Sequence, residues 1–494
     1  MPKSWAGSVD LHLAVDTSGG RRAGLERALR TAIATGRLAS GAALPSTRAL
    51  SAELGLSRGT VSAAYDQLTA EGYLTAVPGS GTRVADLPDP PQASRADSAS
   101  AASWAGSASA AAAALPPPAA GSPSTAEGRA EAPLHDLLPG RPDLSTFPTS
   151  AWLRSTRRVL GRVSPEVHAL GDPRGRPELR EALAGYLGRT RGVHADPARI
   201  VITSGYAQSL GLLASVLRDA GTTSFAMEEP GHPFHRAIVR RAGLDIVPLP
   251  VDDRGARPDT LDGVGAAVLT PAHQYPSGAT LHPDRRRAFA TWARDTNGTI
   301  IEDDYDGEFR YDRQPVGALQ GTAPDHVVYG GTASKTLAPA LRLAWTVLPA
   351  HLVEPFAEAK RLADAHTQSL AQLVLADLID THAYDRHIRA SRLRYRRRRD
   401  LLIETLRARA PHVRVLGVAA GLHALVLLPS AGPDENEIMR RAASHGLALM
   451  PLRDHWQDPA GRPQGLIVGY STPVGPAYAP ALDALCTVLA GRPP

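Results

Sequence analysis

The chain of 494 residues has one cysteine, Cys486, and three lysines, Lys3, Lys335 and Lys360. A single cysteine excludes an internal disulfide and any zinc site built on cysteines. No other metal-ligand pattern is read from the sequence. Aromatic residues make up only 5% of the chain. Yet 43% of it is hydrophobic and 21% charged, the composition of a folded globular protein. Behind Met1-Pro2-Lys3-Ser4-Trp5 there is no apolar run, so no secretory signal is expected. The stretch 101–120 is mostly Ala, Ser and Pro, and its prolines rule out a continuous spanning helix. These absences predict a cytoplasmic protein without membrane contact. A formal charge of +5 permits a polyanionic partner without demanding one. The length predicts two or more domains.

Three segments are legible. Residues 1–88 read as a compact head. Leu25, Leu29, Ala32 and Ile33 share one face of a first helix. Ser46 can cap a second helix that turns Leu50 and Leu54 inward, and Gly55 supplies the turn. Ser57 caps a third, whose Val61, Ala64, Tyr65 and Leu68 follow helical spacing. Strand-like residues 72–77 and 82–84 flank Pro78-Gly79-Ser80-Gly81, giving a hairpin. Three helices and a hairpin make a winged helix-turn-helix, an α+β unit. Residues 89–133 are dominated by Ala, Ser and Pro, which predicts a flexible linker. From 134 to 494, short β-rich runs alternate with helical stretches. Runs at 200–203, 224–227, 245–247, 266–270, 299–303, 327–329 and 341–347 predict an α/β domain with a mostly parallel sheet. A smaller α+β portion follows, with strands near 422–428 and 466–468. The basic run Arg392 to Arg399 falls in a helical stretch with Leu393, Leu401, Leu402 and Leu406 facing inward. Its arginines are therefore expected on a solvated face.

Two constellations carry chemistry. In the head, Arg48, Ser57, Arg58 and Thr60 stand at helix starts, where a recognition helix meets base edges and phosphates. Arginine pairs bidentately with guanine. The stretches Leu44-Pro45-Ser46-Thr47-Arg48, Leu56-Ser57-Arg58-Gly59-Thr60-Val61 and Pro78-Gly79-Ser80-Gly81-Thr82 resemble the GntR family of bacterial regulators. The resemblance implies DNA contacts from Arg48, Ser57, Arg58 and Thr60, and a close approach to the minor groove by Gly79 and Gly81. Arg83 flanks the wing.

The second constellation surrounds Lys335. Arginine stays protonated and cannot form an imine, whereas a lysine with a lowered pKa can. A pyridoxal 5'-phosphate (PLP) site needs such an amine, an anion near the pyridine nitrogen, a donor near the ring oxygen and a phosphate cup. Lys335 supplies the amine. Asp303 ends a predicted strand at the carboxyl edge, where open α/β sheets bind ligands. Tyr305 can reach the ring hydroxyl. Ser204-Gly205-Tyr206-Ala207-Gln208 joins a strand to a helix, and the N–H groups of Gly205, Tyr206 and Ala207 suit a phosphate. Ser334 and Arg342 add a hydroxyl and a fixed charge, and His232 can stack on the ring. Lys360 is expected on a helix away from this site.

These residues, with Gly171-Asp172-Pro173-Arg174-Gly175, Pro271 through Gly278 and Glu302 through Tyr311, resemble fold-type I class I aminotransferases. Together with the head, the pattern resembles the MocR/GabR subfamily of GntR regulators. That resemblance implies a homodimer that binds operator DNA and a small-molecule effector, either PLP itself or an amine or amino acid. It also implies that the head of one chain lies against the body of the other. Two positions depart from the pattern. Leu170 stands where family members carry a tyrosine that reaches the partner's phosphate. The stretch Leu466 to Thr472 holds no carboxylate-binding arginine; Arg453 is either a substitute or the partner of Asp454 in a surface ion pair. Both departures predict weak or absent transamination, against the alternative of an active aminotransferase with an accessory DNA-binding head.

Overall fold

The computed structural model describes Val15 and residues 20–34, 37–77, 81–85, 133–311 and 316–491. The predicted linker up to residue 132 and Gly79 lie outside the described residues. The head has helices Arg21–Ala34, Thr47–Leu54 and Arg58–Ala70, then strands Leu74–Val77 and Gly81–Val84 paired antiparallel. Leu25, Leu29, Leu50, Val61, Ala64 and Leu68 are fully buried in one core. The expected caps form. Ser46 Oγ accepts from the Ala49 N–H at 3.2 Å, and Ser57 Oγ from the Thr60 N–H at 3.1 Å. Gly55, at φ 62°, ends the second helix in the left-handed region where glycine is favoured.

The body is built on an eight-stranded sheet. Its order is Ile200–Thr203, Ala344–Val347, Val327–Thr332, Thr299–Asp304, Ala266–Leu269, Ser224–Glu229, Asp245–Asp252 and Gly255–Ala256. Strands from Val327–Thr332 through Asp245–Asp252 run parallel, while Ala344–Val347 is antiparallel to both its neighbours. Ile200, Val201, Ile300, Ile301, Val327 and Val328 are all fully buried. Such continuous apolar runs suit strands covered on both faces. The C-terminal portion is a four-stranded antiparallel sheet, ordered Arg414–Leu416, His423–Leu427, Gly465–Gly469 and Met450–Pro451. It packs with helices Ala383–Arg409, Glu435–Ser444 and Tyr478–Leu489.

Three expectations are corrected. The strand expected from 245 to 247 continues to Asp252 through Pro248 and Pro250, because it pairs fully on one side only and prolines are tolerated there. The strand expected from 341 begins at Ala344, since Pro339–Leu341 forms a 3-10 turn and Arg342 takes φ 51°. In the helix Ala383–Arg409 the inward stripe is Tyr384, Ile388, Ser391, Tyr395, Arg398, Leu402 and Leu406. Leu393 and Leu401 are 59% and 43% exposed, off that stripe. Arg398 is on it, so it is buried, donating to Asp143 Oδ2 at 3.0 Å and to the Ser471 carbonyl. Arg396 and Arg397 are exposed, as the basic run predicts.

Candidate functional site

The head presents Arg48, Ser57 and Arg58 exposed and Thr60 partly so, at the starts of the second and third helices. Ser57 Oγ also lies 2.8 Å from Thr60 Oγ1. Gly81 opens the second wing strand with φ 84°. Arg83 Nη1 donates to the Gly41 carbonyl at 3.0 Å, which binds it to its own head.

The second site is a cavity of about 270 Å³ at the carboxyl ends of the parallel strands. Lys335, Asp303, Tyr305, Gly205, Tyr206, Ser334, Arg342 and His232 all line it. Residues spread over 138 positions of sequence thus converge because strand ends Thr203, Asp304 and Thr332 meet at one edge. Ala207 is not among the lining residues; it sits one place into the helix Tyr206–Asp219, in the first turn, where N–H groups lack a carbonyl one turn back within the helix.

Lys335 Nζ donates to the Gly140 carbonyl at 2.6 Å. Burial lowers its pKa, and Asp303 and Asp306 oppose that shift. Burial drives the Asp303 carboxyl well above its usual range, and Lys335 opposes that too. His235 Nδ1 lies 3.8 Å from Asp303 Oδ2, and burial pushes this imidazole down to about 3, so it is neutral. The His232 and His235 rings stack at 4.2 Å, and Tyr275 stacks on His232 at 5.3 Å. Tyr305 O–H donates to the His273 carbonyl at 3.0 Å. His273 Nδ1 is 2.9 Å from Asp306 Oδ2.

The end of the cavity at Gly205 and Arg342 is shaped by backbone. Gly205 has φ 137° and ψ 158°, and a Cβ there would lie 2.8 Å from Arg342 Nη2. Arg342 therefore reaches its position only because residue 205 has no side chain. Thr332 Oγ1 and Ser334 Oγ are 3.0 Å apart at the same end. A half-buried amine beside a buried carboxyl, a tyrosine hydroxyl and an arginine over a glycine-opened helix start is a donor set that fits PLP.

The sequence reading missed Glu228, His235, Tyr275 as a lining residue, His423, Met450 and Gly140. His235 was within reach, since it follows His232 by three residues. His423 and Met450 come from the C-terminal sheet, and nothing local marks them. Also missed was a buried trio, His273, Asp306 and His423, whose ligand atoms lie within 4.8 Å of one another, close enough to hold a metal ion. Leu170 is 84% exposed. Arg453 does not line the cavity and pairs with Asp454 at 3.5 Å on the surface. Lys360 lies in the helix Ala350–Asp364, outside the cavity, and bonds Asp364. Among the described residues no helix is long and apolar enough to cross a membrane.

Comparison with known proteins matches both halves. Residues 22–84 match the model for bacterial regulatory proteins of the gntR family, and residues 141–455 that for aminotransferase class I and II. The uncharacterized HTH-type transcriptional regulator YhdI of Bacillus subtilis is 35% identical, over 85% of each chain. The probable rhizopine catabolism regulatory protein MocR of Rhizobium meliloti is 32% identical, over 90% of this chain and 88% of that protein. The pyridoxine biosynthesis transcriptional regulator PdxR of Corynebacterium glutamicum is 31% identical, over 91% of each. An archaeal alanine:glyoxylate aminotransferase shares the body fold at TM-score 0.67 and 23% identity, over 72% of this chain and 91% of that one. With a GntR head before an aminotransferase body, and relatives of the same build along most of its length, the chain belongs to the MocR/GabR subfamily of GntR-type regulators.

Proposed function

We propose that the chain is a transcriptional regulator that binds operator DNA through Arg48, Ser57, Arg58, Thr60 and the wing glycines, and holds PLP on Lys335. The observation that carries this reading is the half-buried Lys335 amine in one cavity with Asp303, Tyr305 and Arg342, in a chain whose head leaves its reading face exposed. When bound, PLP supplies an electrophilic carbon that amines attack. The protein's own groups divide the remaining work. Asp303 would hold a proton at the pyridine nitrogen, the Tyr305 hydroxyl would turn from the His273 carbonyl to the ring oxygen, and Arg342, Ser334 and the Gly205–Ala207 N–H groups would hold the phosphate. The stacked rings of His232 and Tyr275 would cover one side of the ring and keep water from it.

The effector is PLP itself or an amine. Only two arginines line the described cavity, Arg342 and Arg236. Arg236 is committed to Glu229 at 2.7 Å and to the carbonyls of Glu228 and His455. The strand Gly465–Gly469 brings Leu466, Ile467 and Val468 fully buried, with no guanidinium. An α-carboxylate would thus lack its bidentate partner, which disfavours ordinary transamination as the protein's task. The reading includes a homodimer, because fold-type I sites are usually shared between subunits. The test is borohydride reduction after incubation with PLP, read by peptide mass. The adduct is expected on Lys335, and an adduct on Lys3 or Lys360 would overturn the assignment. Rapid turnover of a common α-amino acid with a keto acid would favour the aminotransferase alternative.

A further inference from the structure

Beside the cavity, two side chains with no part in the PLP contacts above hold one that has. His273 lies in the loop after the strand Ala266–Leu269, and Tyr305 and Asp306 follow the strand Thr299–Asp304. The two strands pair in parallel, so the loops at their carboxyl ends meet. There His273 holds the Tyr305 hydroxyl twice. Its carbonyl accepts the Tyr305 O–H at 3.0 Å, and its Nδ1 lies 3.0 Å from the same oxygen. Nδ1 also lies 2.9 Å from Asp306 Oδ2. His273 is 3% and Asp306 2% exposed. Tyr305 lines the cavity, whereas His273 and Asp306 stand behind it.

These partners decide where the protons sit. With its O–H committed to the carbonyl, the Tyr305 oxygen can only accept from Nδ1. Asp306, as a carboxylate, also only accepts. Both bonds therefore require the imidazole proton on Nδ1, because the nitrogen that carries it is set by the bonds around the ring. Gly421, at φ 78°, closes the arrangement from the C-terminal portion. A Cβ there would stand 2.4 Å from Nδ1 and 2.7 Å from Asp306 Oδ2, so only glycine leaves the pair undisturbed. The neighbouring His423 is committed separately, its Nε2 donating to the Pro276 carbonyl at 3.2 Å. An ion held by His273 Nδ1 would displace the proton, so an ion and these hydrogen bonds are alternatives.

We propose that His273 and Asp306 are positioning residues for the Tyr305 hydroxyl: Asp306 keeps a proton on His273 Nδ1, and that N–H holds the Tyr305 oxygen while its O–H turns from the His273 carbonyl to the ring oxygen of PLP. The last step rests on the reading of the site given above; the holding of Tyr305 stands on the bonds within the protein. The turn exchanges one hydrogen bond for another and needs only rotation of the hydroxyl. An amide at position 306 can donate, so it no longer requires the proton on Nδ1. Nδ1 then becomes an acceptor and competes with the ring oxygen for the Tyr305 proton.

The test uses the full chain and the variants Asp306→Asn, Tyr305→Phe, the two combined, and His273→Asn, whose amide N–H replaces that of Nδ1. Borohydride-trapped PLP on Lys335 shows that each is folded. Asp306→Asn is expected to weaken PLP binding about 3–10-fold and to shift the absorption band of bound PLP, at fixed pH, in the same direction as Tyr305→Phe. The combined variant is expected to match Tyr305→Phe within about twofold, because Asp306 acts through that hydroxyl. His273→Asn is expected to keep the wild-type band. In the PLP-free protein, nitrogen NMR of isotope-labelled histidine reads the tautomer directly. The His273 signal, identified by its loss in His273→Asn, should show the proton on Nδ1 in wild type and on Nε2 in Asp306→Asn. An unchanged tautomer in Asp306→Asn would overturn the proposal. So would effects of Asp306→Asn and Tyr305→Phe that add in full, which would mean that Asp306 acts by charge alone, or a stoichiometric metal ion in the purified protein that is lost in His273→Asn. A wild type that takes up no PLP would overturn the reading of the cavity, and the tautomer would then decide the holding of Tyr305 alone.

Discussion

Gly205→Ala tests the phosphate cup at the point where backbone and charge meet. At φ 137° and ψ 158°, residue 205 occupies a region that is essentially glycine's own. Any other residue there costs about 1–3 kcal/mol. The added Cβ would also stand 2.8 Å from Arg342 Nη2 and 3.1 Å from its Cζ, so the guanidinium must leave. A charge-assisted hydrogen bond contributes about 1.5–3 kcal/mol, which corresponds to roughly 10–150-fold in affinity. Absorbance titration of the variant with PLP should show a loss in that range. Pyridoxal, which lacks the phosphate, supplies the control, and its capture by Lys335 should change far less. The reasoning is refuted if PLP affinity stays within about threefold of wild type, or if pyridoxal suffers as much as PLP.

Further predictions address the other groups. Lys335→Ala should abolish the cofactor's absorption band and the borohydride-trapped mass, since no other lysine lines the described cavity; a trapped adduct in the variant would contradict this. Arg58→Ala should cost about 1–3 kcal/mol of operator binding and relax sequence preference, while Arg48→Ala should weaken all sequences alike and reduce the salt slope. Unchanged binding by both variants, measured by fluorescence anisotropy over a salt series, would remove the proposed reading surface. Burial raises the Glu228 carboxyl to about 7, against hydrogen bonds from Thr270 and Gln274. A folded pKa above the unfolded one means a contribution that is complete below about pH 4.5 and lost as pH rises through about 7. Glu228→Gln should therefore gain stability over wild type as pH rises across that window, by up to roughly 3 kcal/mol. Denaturant melts showing a pH-independent difference would refute it.

The legible parts of the molecule were those with local signatures. Ser46, Gly55 and Ser57 announce helix ends by their own backbone chemistry, and they sit where the spacing places them. The apolar runs around Val201, Ile301 and Val328 announce buried strands, and Asp303 and Lys335 follow from where those strands end. Features that depend on packing were not legible. Leu393 and Leu401 are as hydrophobic as Leu402 and Leu406, and only the phase of a long helix separates them. That same phase buries Arg398, whose partner Asp143 is 255 residues away. His423 enters the cavity from a separate sheet.

Fluorescence anisotropy of the full chain on its operator, at one fixed salt concentration, tests the central claim most directly. Three states are compared: without PLP, with PLP, and with PLP plus candidate amines. A regulator whose ligand site and reading head are coupled should change operator affinity by about 5–150-fold between at least two of these states. A change caused by PLP alone assigns PLP as the signal, and one that appears only with an amine makes PLP the receptor group. Identical affinity in all three states would contradict the account.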